Sequence, residues 1–231
     1  MILEFLNHYP RAISLDNARF DPLFPQFAKR SDFLLFDEST ICEYKEIKNF
    51  RVSDRIEHMV RKPQMGDDNF KRDFYNTINL AFSFANKQIR ESKEILNSPD
   101  ALGLIIVENQ IPKDLSVLAL IDAADRKMLN GLESVDCVLC ADFVNTFVDK
   151  SGAPVRLVQT ITRDSERSSR LCELIEELVS DFCAINGIPI YKGSNITKAD
   201  QSWVIGPDGR YTKFIGTFQI QENPFDPPQD R

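Results

Sequence analysis

Long apolar runs are missing from this chain of 231 residues. The longest, Leu102 to Val107, is strand-sized, far short of the ~20 residues that a membrane-spanning helix needs. Histidine is scarce: only His8 and His58 are present, which excludes a histidine-rich metal centre. Glycine occurs nine times and forms no GxGxxG, no Walker loop and no GxSxG, so the glycine-built phosphate cradles and the serine nucleophile elbow are excluded. There is no internal repeat and no low-complexity block. Met1 to Pro10 carries an acid, Glu4, but no Lys or Arg and no cleavage-site pattern, so it does not read as a signal peptide. The five cysteines, 42, 137, 140, 172 and 183, are odd in number. Without a secretion signal they read as reduced thiols of a cytoplasmic protein. Cys137-Val-Leu-Cys140 has no second CxxC and no nearby histidine, and reads as two buried thiols on opposite faces of a strand rather than a zinc site.

What is present describes an ordinary folded chain. Hydrophobic residues make up 42% and charged residues 27%, the proportions of one globular domain. A chain of this length can bury roughly 70% of its unfolded surface and needs no staples. The balance of 28 basic and 35 acidic residues gives a net charge of −7. That disfavours a surface that binds polyanions everywhere, but leaves room for a local basic groove.

Periodicity then divides the chain. Ile2, Phe5, Leu6 and Tyr9 have helical spacing, ended by Pro10. Ala12 to Leu15 reads as a short strand. Asp32 to Phe36, a turn over Asp37 to Thr40, and Ile41 to Ile47 read as a hairpin. Residues 69–96 lack Gly and Pro, and set Phe70, Phe74, Ile78, Ala81, Phe82, Ala85 and Ile89 on one face of a long helix. Leu102 to Glu108 is continuously apolar, a strand buried on both faces. Leu104, Ile106 and Phe82 are expected in one core. A helix over 115–129, strands over 136–148 and 154–162, and a helix over 165–186 closed by Gly187 follow. A hairpin spans Trp203 to Phe218. The tail from Glu222, with three prolines in ten residues, reads as disordered.

The first hairpin carries the chemistry. Alternation puts Glu43 and Lys45 on one face of the second strand, and Cys42, Tyr44 and Glu46 on the other. Pairing Phe36 with Ile41 sets Asp32 opposite Lys45, a diagonal neighbour of Glu43 on the same face. Two such carboxylates can share a divalent cation, which keeps waters and takes phosphate oxygens as its other ligands. A lysine beside them can orient or deprotonate a water, or hold a phosphate. Six basic residues against three acids lie between 45 and 62, with His58 among them. Lys48, Arg51 and Arg55 are the substrate-contact candidates there. The 17 phenylalanines have the spacing of core faces rather than of stacking platforms.

Ser31-Asp32, ten intervening residues, and Glu43-Tyr44-Lys45 resemble the PD-(D/E)xK motif of the restriction-endonuclease-like nucleases. The order of helix, hairpin, helix and strand is similar too. Ser31 stands where that motif has proline, and the long segment between the motif and its following helix departs from the pattern and reads as a substrate loop. The resemblance implies an α/β (α+β) fold, a central mixed sheet flanked by helices, with a nuclease-like core over 1–162. Residues 163–221 would elaborate the same domain, and 222–231 would be tail. It implies Mg²⁺ (or Mn²⁺) held by Asp32 and Glu43, with Glu4 from the first helix as a further ligand, and Lys45 as the catalytic lysine. DNA is the implied partner, with RNA not distinguished, no membrane partner, and a homodimer or protein partner through the C-terminal third. Two other readings stand beside it. One is a nuclease-fold binding subunit of a nucleic-acid or defence assembly that has lost catalysis. The other is an unrelated interaction protein in which the motif is accidental.

Overall fold

The computed structural model describes residues 1–48, 67–111, 117–148, 154–163, 165–188, 201–205 and 211–215. In chain order the elements are α1 (Ile2–His8), β1 (Ala12–Ser14), a 3₁₀ turn (Ala18–Phe20), β2 (Phe33–Leu35), β3 (Thr40–Ile47), α2 (Asp67–Ile95), β4 (Leu102–Asn109), α3 (Val117–Asn130), β5 (Cys137–Val148), β6 (Pro154–Thr162), α4 (Glu166–Ile185), β7 (Gln201–Ile205) and β8 (Tyr211–Ile215). The first six strands form one mixed sheet in sequence order. β1, β2 and β3 are antiparallel. β3, β4 and β5 run parallel, and β6 returns antiparallel. The fold is therefore α/β, a central mixed sheet flanked by four helices. β7 and β8 pair as a separate two-stranded sheet. Among the described residues no helix is long and apolar enough to cross a membrane.

Parallel strands need crossovers, and α2 and α3 supply them. Both lie on one face, as successive crossovers of one hand must when strand order follows sequence order. Ile78, Phe82, Ala85 and Ile89 of α2 and Leu120, Ala123, Ala124 and Met128 of α3 cover Ile105, Val107, Val138 and Cys140. On the other face, α1 and α4 cover Cys42, Tyr44, Leu104, Ile106 and Leu139 with Phe5, Leu6, Leu171, Ile175, Leu178 and Phe182. All eight residues of β4 are buried, as a strand between two helical layers requires. The alternation of β4 corrects one expectation. Phe82 packs with Ile105 and Val107, whereas Leu104 and Ile106 face the other layer. Cys137 and Cys140 likewise belong to opposite layers.

Two glycines are dictated by backbone geometry. A Cβ on Gly103 would lie 2.0 Å from the Ser134 carbonyl oxygen, so the β4 edge approaches the 132–136 loop only because that residue has no side chain. Gly187, at φ 64, ends α4. The Ile188 N–H donates to the Cys183 carbonyl (2.8 Å) and the Gly187 N–H to the Ala184 carbonyl (3.4 Å), the paired bonds of a Schellman cap.

Candidate active site

The hairpin register differs from the expected one by two residues. Leu35 pairs with Thr40, Leu34 with Ile41 and Phe33 with Cys42, which sets Asp32 opposite Glu43 rather than opposite Lys45. The turn causes the shift. Phe36, Asp37 and Glu38 all have left-handed φ, at 53, 58 and 64, so β3 begins at Thr40. The left-handed turn re-aims the Phe36 ring into the layer of Phe33 and Leu35, where it is buried. The Phe36 N–H is bonded to the Arg11 carbonyl (2.9 Å), and its carbonyl accepts the Ser39 hydroxyl (2.7 Å). Because the shift is even, Asp32, Glu43 and Lys45 stay on one face. Asp32 and Glu43 become direct cross-strand neighbours, and Lys45 takes the diagonal place that Glu43 was expected to hold.

Each side chain is held by its own strand end. The β2–β3 ladder stops at Phe33, and the Asp32 carboxylate accepts the Tyr44 N–H (2.7 Å) where a strand carbonyl would otherwise stand. Glu43 is fully buried on β3, under α2. Lys45, partly exposed, reaches back along the strand face, and its Nζ bonds Glu43 Oε1. Lys45 Nζ also donates to Gln88 Oε1 of α2 (3.2 Å), and Gln88 Nε2 donates to the Arg30 carbonyl (3.0 Å). One turn further on, the Ser92 hydroxyl accepts the buried Ser31 N–H (2.9 Å). α2 therefore clamps the chain just before Asp32 and holds the lysine with the same polar stripe.

The electrostatics are those of a buried acid pair short of positive charge. Burial, and then the neighbouring Asp32 charge, push Glu43 up to about 7 against the pull of Lys45. Burial also raises Asp32, opposed by the Tyr44 N–H and by Lys45. Glu43 Oε2 and the Ser31 hydroxyl are both buried and make no close hydrogen bond, and the hydroxyl, beside the carboxylate, lowers its pKa less than burial raises it. A buried carboxylate oxygen so weakly served is costly unless something cationic meets it. The donor set fits a hard divalent cation bound through oxygen. Among the described residues no group of three or more His, Cys, Asp or Glu is placed to hold a metal ion. A cation at this site would have Asp32 and Glu43 as its ligands among those residues, with the remaining positions open to water and phosphate.

The other expected site residues fare differently. Glu4 is exposed on α1, whose apolar side packs with Cys42 and Tyr44 on the sheet face opposite Glu43. It is not brought to the pair, because α1 is fixed elsewhere. The Ile2 N–H donates to the buried Glu108 Oε2 (3.1 Å), which also accepts the Tyr44 hydroxyl (2.6 Å). Lys48 is ion-paired with Glu46, on the Tyr44 side of the strand, rather than turned towards Glu43. Arg51, Arg55 and His58 lie outside the described residues. Gln88 and Ser92 are residues that sequence reasoning missed. Both interrupt the apolar pattern of α2 four residues apart, a polar ladder visible in the sequence once the helix is drawn. No family model, curated protein or solved structure matches the chain, so the geometry must carry the functional argument alone.

Proposed function

We propose that this chain is a metal-dependent nuclease of restriction-endonuclease-like type, hydrolysing phosphodiester bonds of DNA. The observation that carries the reading is the fully buried Glu43, whose Oε2 makes no close hydrogen bond, set beside Asp32 and Lys45 on one sheet face. An acid pair with one amine is the minimal set for this hydrolysis. Asp32 and Glu43 hold Mg²⁺ or Mn²⁺, which when bound neutralises charge on the phosphate and acidifies a water. Glu43 then has a cation other than Lys45. The amine is free to donate to the phosphate or orient the attacking water, and Gln88 keeps it aimed. The free thiols agree with a cytoplasmic setting. A partner or second copy at the C-terminal third belongs to the same proposal, since cutting both strands with one site per chain favours a dimer.

Isothermal titration with Mn²⁺ and cleavage of plasmid and single-stranded DNA at low salt test this reading. Uptake and cleavage by the wild type, both lost in Glu43→Ala, are expected. Cleavage unchanged in that variant would overturn it. A second reading, a non-catalytic binding subunit on the same fold, is favoured by the net charge of −7. It would replace the first if a folded wild type took up no metal and cut no nucleic acid.

A further inference from the structure

The phenylalanines do not all serve the core. Phe84 is 51% exposed and Phe27 is 91% exposed. Phe84 sits on α2 four residues before Gln88, so about 6 Å of helix axis separates it from the residue that touches Lys45. The Lys29 ammonium lies 5.2 Å from the centre of the Phe84 ring. Lys29 adjoins Arg30, whose carbonyl binds Gln88. Two separate stretches of chain thus bring an exposed ring and an exposed cation together at the border of the Asp32–Glu43–Lys45 site. Arg30 is neutralised by Asp16 (3.4 Å) and Asp21 (2.9 Å). Lys29 makes no salt bridge with a described residue; its contact is the ring.

We infer that Phe84 and Lys29 form a subsite for an unpaired nucleotide next to the reacting phosphate, the ring stacking on the base and the ammonium meeting its phosphate. The inference rests on the hydrolase reading, which puts a phosphate at Lys45. Stacked nucleotides repeat about every 3.4 Å along a strand, so the helix turn between Phe84 and Gln88, the residue that touches Lys45, is about two steps long. An aromatic face can stack only on a base face. In a duplex interior those faces are covered by neighbouring bases, whereas a single strand, a flap or a displaced base offers them. On a chain of net charge −7, an accessible lysine without an acid partner among the described residues is complementary to a polyanion at this border. The subsite therefore gives the enzyme a preference for unpaired strand.

The test is fluorescence anisotropy at low salt with Ca²⁺ in place of Mg²⁺. The probes are a labelled oligothymidylate about fifteen nucleotides long, within the usual range of single-strand sites, and a duplex of similar length. The full chain is compared with Phe84→Ala, Phe84→Trp and Lys29→Gln. Phe84→Ala should weaken the single strand on the order of tenfold and leave the duplex within about twofold. Phe84→Trp should keep the affinity, with its indole fluorescence quenched by the oligonucleotide. Lys29→Gln should lower the salt slope by about one. Wild-type affinity in Phe84→Ala, equal losses on strand and duplex, or no binding of the oligonucleotide by the wild type would each overturn the inference. Cleavage with Mn²⁺ is scored separately. Cutting by a wild type whose Phe84→Ala variant binds normally leaves the hydrolase standing and removes the subsite. Phe84-dependent strand binding without any cutting does the reverse.

Discussion

Replacing Glu43 with glutamine should stabilise the metal-free protein, and only at neutral to alkaline pH. Glu43 is fully buried and its carboxyl is raised from 4.5 to about 7. The folded chain therefore holds a proton that the unfolded chain has already released between those values. The unfolded state binds fewer protons there, so stability falls as pH rises from about 4.5 to about 7 and levels off above. At 1.36 kcal/mol for each pH unit, the loss sums to about 3 kcal/mol. Glutamine has nearly the same shape, can still accept from Lys45, and places a donor near the Ser31 hydroxyl. Glu43→Gln should match the wild type at pH 4.5 and exceed it by about 3 kcal/mol at pH 8. For a chain of this size that is roughly 6–12 °C in Tm. The assay is urea unfolding in EDTA across that pH range, with thermal melts alongside. Added Mn²⁺ at pH 8 should close the gap at a hundred times Kd, where the wild type gains about 2.7 kcal/mol and the variant little, and reverse the order at a thousand times Kd, where the gain is about 4.1 kcal/mol. A variant no more stable than the wild type at pH 8 in EDTA, or a difference independent of pH, would refute a buried charge that Lys45 only partly offsets.

The other expectations are these. Lys45→Ala should keep fold and metal affinity while losing on the order of 10² or more in cleavage rate. Asp32→Ala and Glu43→Ala should lose metal and activity together, and the double variants should not add, because one phosphate is served by all three; single-turnover assays with titration of Mn²⁺ check this. Asp37→Gly should raise stability by about 1 kcal/mol, since φ is 58 there and a non-glycine residue carries a cost of that order. The Arg11 pair it gives up is 3.6 Å long, with an exposed Asp37 side chain, and contributes little; chemical denaturation reads the gain. Gly103→Ala, whose Cβ would meet the Ser134 carbonyl at 2.0 Å, should either fail to accumulate as folded protein or melt far lower, and a Tm within a few degrees of wild type would contradict the close approach.

The parts of this molecule that were legible in its sequence are those governed by periodicity. β4, with no polar side, had to lie between two layers, and it does. The period-3.6 stripe Ile78, Phe82, Ala85 and Ile89 had to be a helix face, and all four are buried. Gly187 had to close α4. The face shared by Asp32, Glu43 and Lys45 was legible for the same reason, since parity survives any even register error. What escaped was decided by single residues against their propensity. A phenylalanine with φ 53 is a poor guess from sequence, yet Phe36 takes that conformation to bury its ring, and the register moves by two. The role of α1 escaped as well. Its apolar side indicates that it packs, not which sheet face it covers. That choice rests on Glu108, a buried acid of β4 that accepts the Ile2 N–H at the start of the helix. An acid in a strand that is otherwise almost wholly apolar was the available signal. Glu4 lies on the helix that precedes the hairpin, but with α1 anchored at Glu108 the described residues give the site on the opposite face two acids. A two-acid site must leave more coordination positions to water and phosphate than a three-acid one, so its metal should be held more weakly without substrate than with it. Mn²⁺ affinity measured with and without a bound, uncleavable phosphorothioate oligonucleotide should differ in that direction. Equal affinities would mean that the chain supplies a further ligand from outside the described residues.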